Sequence, residues 1–194
     1  MVRISRSAAV CLVFFVALLN AACGNRPKEP PTRPLGKPCE NCIEGVANFA
    51  KVSPAVWRGA QPTKEGFRNL EAAGVKAVVN FRHDHDDLPL LAGTQLKYLW
   101  IPARAWKPEE QDLVIFLKVL EDPKNWPVFV HCAEGKDRTG YSVAAYRIVA
   151  EDWAPDDAVH EMFDFHYNPI WFENPRFLHR LNAEQVRTRV KMVP

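Results

Sequence analysis

Residues Val128 to Tyr141 read VFVHCAEGKDRTGY. Four residues, VFVH, have the composition of a buried strand: a short apolar run with β-branched and aromatic side chains. The chain then enters a short loop carrying Gly135 and continues into an apolar stretch from about Thr139 to Ala150 with helical spacing. A buried strand running through a glycine-bearing loop into a helix is the half-unit of a parallel α/β sheet. Cys132 falls at the carboxyl end of the strand and Arg138 in the first turn of the helix, with five residues between them. Ligands of open α/β sheets bind at that edge.

The flanking sequence repeats the alternation. Ala55 to Arg58 is a short strand candidate, and Pro62-Thr63 opens an amphipathic helix that ends near Ala73, before Gly74. KAVVNF (Lys76 to Phe81) and LKYLWI (Leu96 to Ile101) are further buried strands. Glu109 to Leu120 places Leu113, Phe116, Leu117 and Leu120 on one helical face. Pro155 starts another helix, and Asn174-Pro175 reads as a cap with proline at the first helical position. The expected fold class is α/β: a mainly parallel central sheet flanked by helices, a three-layer sandwich.

The loop has a definite chemistry. Backbone N–H groups from Ala133, Glu134, Gly135, Lys136, Asp137 and Arg138 can curl round an anion, assisted by the helix N-terminus. Gly135 permits the positive φ that such a curl requires. The Arg138 guanidinium can grip two phosphoryl oxygens as a planar fork. A cysteine at a helix N-terminus beside cations is held as thiolate more readily than a free one. Cys132 is therefore the candidate nucleophile, attacking phosphorus to give a phosphocysteine. The Thr139 hydroxyl is placed to donate to its sulfur, and His131 to orient the loop from behind. Neither a metal nor a cofactor is needed for this chemistry.

HCAEGKDRTG resembles the signature of the protein tyrosine phosphatase superfamily: His-Cys, five residues, Arg, then Ser or Thr. WRGAQP (Trp57 to Pro62) and VVNFR (Val78 to Arg82) resemble opening motifs of small atypical dual-specificity phosphatases. The resemblance spans about residues 52 to 165. It implies phosphate-monoester hydrolysis, with Arg58 and Arg82 supporting the site or lying on the surface. It also implies a general acid, usually an Asp in the loop after the strand preceding the catalytic one. Here that loop, ARAWKPEEQD, has no early Asp; Glu109, Glu110 and Asp112 are candidates, although carboxylates also suit a helix start. Asp137, inside the loop, is the preferred alternative, since bound phosphate would help it keep a proton. The cluster His83-Asp84-His85-Asp86-Asp87 is a third source and reads as a solvated loop near the site mouth. Lys136 adds charge where a second phosphate could lie. The substrate is left between a phosphorylated protein and an inositol phosphate or phosphoinositide. A catalytically weak phosphate-binding protein is the alternative to an enzyme; a sulfurtransferase would want a shorter loop.

The whole chain agrees with this frame. It has 194 residues, 47% hydrophobic and 25% charged, with a net charge of +2. That balance suits one globular domain and gives no argument for nucleic acid. Residues 1–22 carry Arg3 and Arg6, then an apolar run from Ala8 to Leu19, as in a secretory signal. Cys23 follows Ala21 and Ala22, as in a bacterial lipoprotein signal, although Asn20 departs from that motif. Cleavage after Ala22 or an uncleaved anchor are the alternatives. Export to the periplasm, with a lipid anchor to the outer membrane through Cys23, is the corresponding expectation. Residues 23–45 are rich in Pro, Lys and Arg and read as a tether. They include Cys39 and Cys42, which an oxidising compartment would pair. A zinc site would want two further ligands. The folded phosphatase domain is expected over residues 46–194.

Overall fold

The structure is a computed structural model that describes residues 33–194, and these fall within one compact unit. The expected signal sequence over residues 1–22 and the expected lipid-anchor residue Cys23 lie outside the described residues.

Five strands form one sheet in the order β1-β2-β5-β3-β4. They are β1 (Ala50–Lys51), β2 (Val56–Gly59), β3 (Ala77–Asn80), β4 (Lys97–Trp100) and β5 (Val128–His131). Only β1 runs antiparallel, as a short edge against β2; the other pairings are parallel. The catalytic candidate therefore leaves the central strand. β5 is paired on both sides, with His131 opposite Gly59 and Asn80.

Side chains of a strand alternate between faces, and both faces here are covered. Val56, Ala77, Val79, Val128 and Val130 pack beneath α3 (Glu110–Leu120), α4 (Asp137–Ala150) and α7 (Ala183–Met192). Trp57, Val78 and Phe129 point the other way, onto α1 (Lys64–Ala72) and α2 (Leu88–Leu91). The expected three-layer α/β sandwich is thus present. Phe129 is fully buried, and its loss would cost about 3–5 kcal/mol.

The middle of α4 is buried on every side, from Thr139 to Val149. Its outer face carries α5 (Pro155–Asp164) and α6 (Glu173–Arg180). A helix clad all round must be apolar all round, which is how GYSVAAYRIVA reads. Its one charge, Arg147, is matched by Glu161 at 2.9 and 2.7 Å and by Glu151 at 2.6 Å.

Three sequence expectations shift. The helix expected from Thr139 starts at Asp137, so Asp137 and Arg138 occupy its first turn. α6 starts at Glu173 rather than after an Asn174 cap. Asn174 is instead buried and donates to the carbonyl of Ala105 at 2.8 Å. Pro175 falls within the first turn, where the missing N–H has no helical partner to lose.

The third shift concerns the tether: its described C-terminal part is docked, not extended. Gly36 N–H donates to Glu161 at 2.8 Å. Cys39 and Phe49 exchange backbone hydrogen bonds at 2.7 and 3.1 Å. Cys39 and Cys42 are disulfide-bonded. The Gly45 carbonyl accepts from Thr63 N–H at 3.0 Å. A Cβ at Gly66 would lie 2.4 Å from that carbonyl, so only glycine allows the approach. The folded unit therefore extends N-terminal of Val46. Proline and lysine content signalled a tether, but the polar backbone of this strap finds partners on the body.

A chain beginning at Val46 is expected to melt at least about 5 °C below one beginning at Arg33. Thermal unfolding of the two, followed by circular dichroism, checks this; equal midpoints would show the strap contributes nothing.

Candidate active site

The loop from Cys132 to Lys136 is held by its carbonyls, each from outside. His131 Nδ1 lies 3.3 Å from the Cys132 carbonyl. Gln61 N–H donates to Ala133 at 3.1 Å. Asn48 Nδ2 donates to Glu134 at 3.2 Å. Arg58 Nη2 donates to Gly135 at 2.7 Å. In a planar trans peptide the carbonyl and the next N–H point in opposite directions. Turning these carbonyls outward turns the N–H groups of Ala133 to Lys136 inward, toward the concave side. Gly135 has φ +68, and a Cβ there would sit 2.4 Å from the Gly59 carbonyl. The loop closes against the end of β2 only because that residue is glycine.

Cys132 is a free thiol, 2% exposed at the base of this cradle. The expected residues 131–139 converge here as one strand–loop–helix unit. Arg138 Nε is buried without a hydrogen-bond partner among the described residues. Thr139 Oγ1 is buried in the same condition, so the expected bond from its hydroxyl to the sulfur is not formed. Buried donors without partners are rare in proteins, and here they adjoin a ring of N–H groups. Lys136 pairs with Glu134 at 2.9 Å, and that hydrogen bond raises the pKa of its ammonium. Much of its charge is answered within the loop itself.

Arg58 is not a surface residue. It is fully buried beneath the loop, with its guanidinium 3.8 Å over the ring of Phe165. Desolvation pulls its pKa down to about 10, with the charges of Glu161 and Cys132 partly offsetting this. It therefore remains a cation at neutral pH. Arg82 stands at the rim and donates to Gln61 Oε1 at 3.0 Å. Sequence reasoning left both arginines open; the register of β2 against β5, which sets Arg58 opposite Val130, is what carries Arg58 under the loop.

The acid candidates separate. Glu109 pairs with Lys107 at 3.0 Å, and Glu110 with Arg189. Asp137 Oδ1 accepts the N–H of Asn168 at 2.9 Å, tying the loop before α6 to the cradle. Asp112, in the first turn of α3, is held above the ordinary carboxylate range, chiefly by desolvation and then by Glu109. Its charge and those of Cys132 and Arg138 all act on the buried Tyr141 hydroxyl, which burial pushes up strongly. Asp87 overturns the expectation of a solvated His83–Asp87 loop. It is fully buried, with Oδ2 2.8 Å from His131 Nε2 and Oδ1 accepting Gln61 Nε2 at 2.8 Å. These polar partners are what allow a carboxylate to leave water. The neighbouring Asp84 and Asp86 are exposed, as expected.

The turn Arg104–Lys107 meets the segment at the start of α6. The Trp106 and Trp171 rings lie 6.1 Å apart. Trp106, Ile170 and Phe172 are more than half exposed. A separate apolar groove of about 400 Å³, lined by Leu117, Trp126, Tyr146 and Val190 among others, contains none of the loop residues.

Residues 41–166 match the family described as DSP-PTPase phosphatase fused to NAD+ kinase. The dual-specificity protein phosphatase TpbA of Pseudomonas aeruginosa is 33% identical over 121 residues, 62% of this chain and 55% of that one. The inositol diphosphatase DSP5 of Arabidopsis thaliana is 28% identical over 122 residues, 59% of each chain. The matches thus span little more than half the length of these relatives. A crystal structure of P. aeruginosa TpbA in complex with phosphotyrosine superposes with a TM-score of 0.66, at 24% identity, covering 81% of this chain and 96% of that one.

Replacing Arg58 by Met is expected to weaken orthovanadate binding about tenfold, or 1.4 kcal/mol. The melting temperature should fall as well, because the buried Gly135 carbonyl loses its donor and Glu161 loses a compensating charge. Calorimetric titration and thermal unfolding test the pair of outcomes; unchanged affinity would remove Arg58 from the site.

Proposed function

Since this chain belongs to the family of DSP-PTPase phosphatases, we propose that it hydrolyses phosphate monoesters through a phosphocysteine, acting by preference on an aryl ester such as phosphotyrosine. The observation that carries the reading is the inward ring of N–H groups above Cys132, bordered by the unpartnered Nε of Arg138. Such a ring stabilises charge on phosphoryl oxygens as it develops.

The Cys132 sulfur attacks phosphorus, an S–P bond forms and the P–O ester bond breaks. The departing oxygen takes a proton, and water then cleaves the S–P bond to release phosphate. Arg138 holds two equatorial oxygens throughout. We assign the proton to Asp112, whose desolvated carboxyl keeps it to higher pH than an exposed one. Asp137 then serves as the tie to Asn168.

Two features favour an aryl ester over a polyphosphate. Lys136 is matched by Glu134, and the loop that Asn168 ties to Asp137 also carries Trp171, with Trp106 beside it. An inositol diphosphate, suggested by the likeness to DSP5, is the second reading. Export, with Cys23 as lipid anchor, accompanies the proposal from the sequence alone.

The protein should turn over para-nitrophenyl phosphate without added metal, and Cys132→Ser should abolish this. A panel of phosphopeptides and inositol phosphates ranks the substrates. No turnover on any member, with vanadate binding retained, would instead indicate a phosphate-binding protein. Asp112→Asn is expected to lower kcat about 10²-fold on alkyl phosphates and less on para-nitrophenyl phosphate. A carboxyl with a raised pKa donates below that pKa and is lost as pH rises through it. The basic limb of the kcat profile should therefore vanish in Asp112→Asn; its persistence would return the role to Asp137.

A further inference from the structure

Three of the four groups that meet the cradle's carbonyls stand on β5, on β2 or just after it. The fourth, Asn48, stands in the strap. It is 4% exposed and has φ +51. Its Nδ2 donates to the Glu134 carbonyl at 3.2 Å and to that of Phe165 at 3.5 Å. Its backbone is held from two directions. From the body, Ala60 N–H donates to the Ala47 carbonyl at 2.8 Å. From the strap, Glu40 Oε2 accepts the Asn48 N–H at 3.1 Å, and Cys39 exchanges hydrogen bonds with Phe49, the next residue.

The strap side of that support is the part the disulfide secures. Glu40 lies between Cys39 and Cys42, which are bonded across a separation of three residues. A disulfide closing so short a loop adds less to global stability than one closing a long loop. Its effect is local: it fixes the turn that carries Glu40 and the Cys39 half of the bridge to Phe49. Glu40, Asn41 and Cys42 are exposed and Cys39 half-buried, and exposed segments held by hydrogen bonds alone open readily. Glu40 also faces the cradle. The Lys136 pKa is raised chiefly by its hydrogen bond with Glu134, and the charge of Glu40 adds a smaller push. Cys42 is open to solvent while Cys132 is 2% exposed, so a dissolved thiol meets the strap disulfide first.

We propose that Asn48 is a positioning residue for the cradle and that the Cys39–Cys42 disulfide is the redox-sensitive lock that keeps it in place. Reduction by a dithiol releases Glu40, loosens Asn48 from the Glu134 carbonyl and weakens the grip on an oxyanion. The exchange balances. A thiolate of the reductant attacks the exposed Cys42 sulfur, the S–S bond breaks and Cys39 leaves as a thiol. The reductant's second thiol then displaces Cys42, so that two cysteines are gained and the dithiol ends as a disulfide. The inference rests on the cradle binding phosphoryl-like anions, as proposed above, but its test does not need turnover.

The probe is tungstate, titrated calorimetrically into the intact chain before and after reduction with dithiothreitol and removal of the reagent without air. Reduction should raise Kd about fivefold, the size expected for one weakened hydrogen bond in the loop. Cys39→Ser combined with Cys42→Ser should show the same rise with no reductant present. Circular dichroism fixes a temperature at which every form is folded. A disulfide that served stability alone would lower the melting temperature and leave Kd in place, which would overturn the proposal. Asn48→Gly keeps access to the left-handed backbone and removes the donor. It should weaken binding by a similar factor, and reduction should then add little, because the two changes act through one contact. A further fivefold loss on reducing Asn48→Gly would show that the disulfide acts elsewhere and would also sink the idea. Absence of tungstate binding in both redox states of the parent would instead remove the anion-binding cradle itself, and this inference with it.

Discussion

The site depends on one constraint: four successive carbonyls, from Cys132 to Gly135, must face away from the cradle. A loop left to itself would turn some of them inward and repel an anion. Each is instead claimed by a donor from a different place in the chain: His131 behind it, Gln61 after β2, Asn48 in the strap and Arg58 within β2. The rest of the domain can be understood as the means of delivering those donors. The parallel sheet sets β2 beside β5, and the glycines at 59 and 135 let the two backbones meet. The strap folds back so that Asn48, itself at φ +51, can reach Glu134.

The electrostatics follow from that arrangement. The donors that hold the loop bring positive charge beneath it, in a region water does not reach. Arg58 feels this as a depressed pKa, and the negative charges of Glu161 and Cys132 relieve it. Negative charge at Glu161 and Cys132 is thus part of what makes a buried guanidinium tolerable. Buried charges are costly singly and stable in mutual company.

Most of the architecture was legible before any coordinates. VFVH and KAVVNF carry strong local signals and form buried strands within a residue or two of expectation; LKYLWI forms its strand too, but at the sheet edge it is exposed or half-buried rather than buried. Thr63 caps α1 by accepting from Gly66 N–H, as the Pro-Thr pair implied. Elements with weak local signals were missed: the two-residue β1, the one-turn α2 and the charged α7, which are fixed by packing rather than pattern. Within the site, the strand–loop–helix unit that carries Cys132 and Arg138 was legible from its local pattern. Asp87 was not, since composition averages a loop and cannot say which carboxylate turns inward. The signal available was its place beside LPLL: Leu91 is buried, which draws the residue before that turn toward the core. The strap was misread because proline content reports stiffness, not whether a partner surface exists.

The pairing of Cys39 with Cys42 sets how the protein would recover from oxidative damage. Among the described residues Cys132 is the free thiol, and the other two cysteines are bonded to each other. A thiolate oxidised to sulfenic acid is ordinarily rescued by condensing with a nearby thiol to a disulfide. No such resolving partner stands ready in the described chain. Reactivation would fall to a reductant arriving from outside, and it would have to reach a cysteine that is almost fully buried. An anion held in the cradle would then shield the sulfur from peroxide, so that an occupied site is better protected than an empty one.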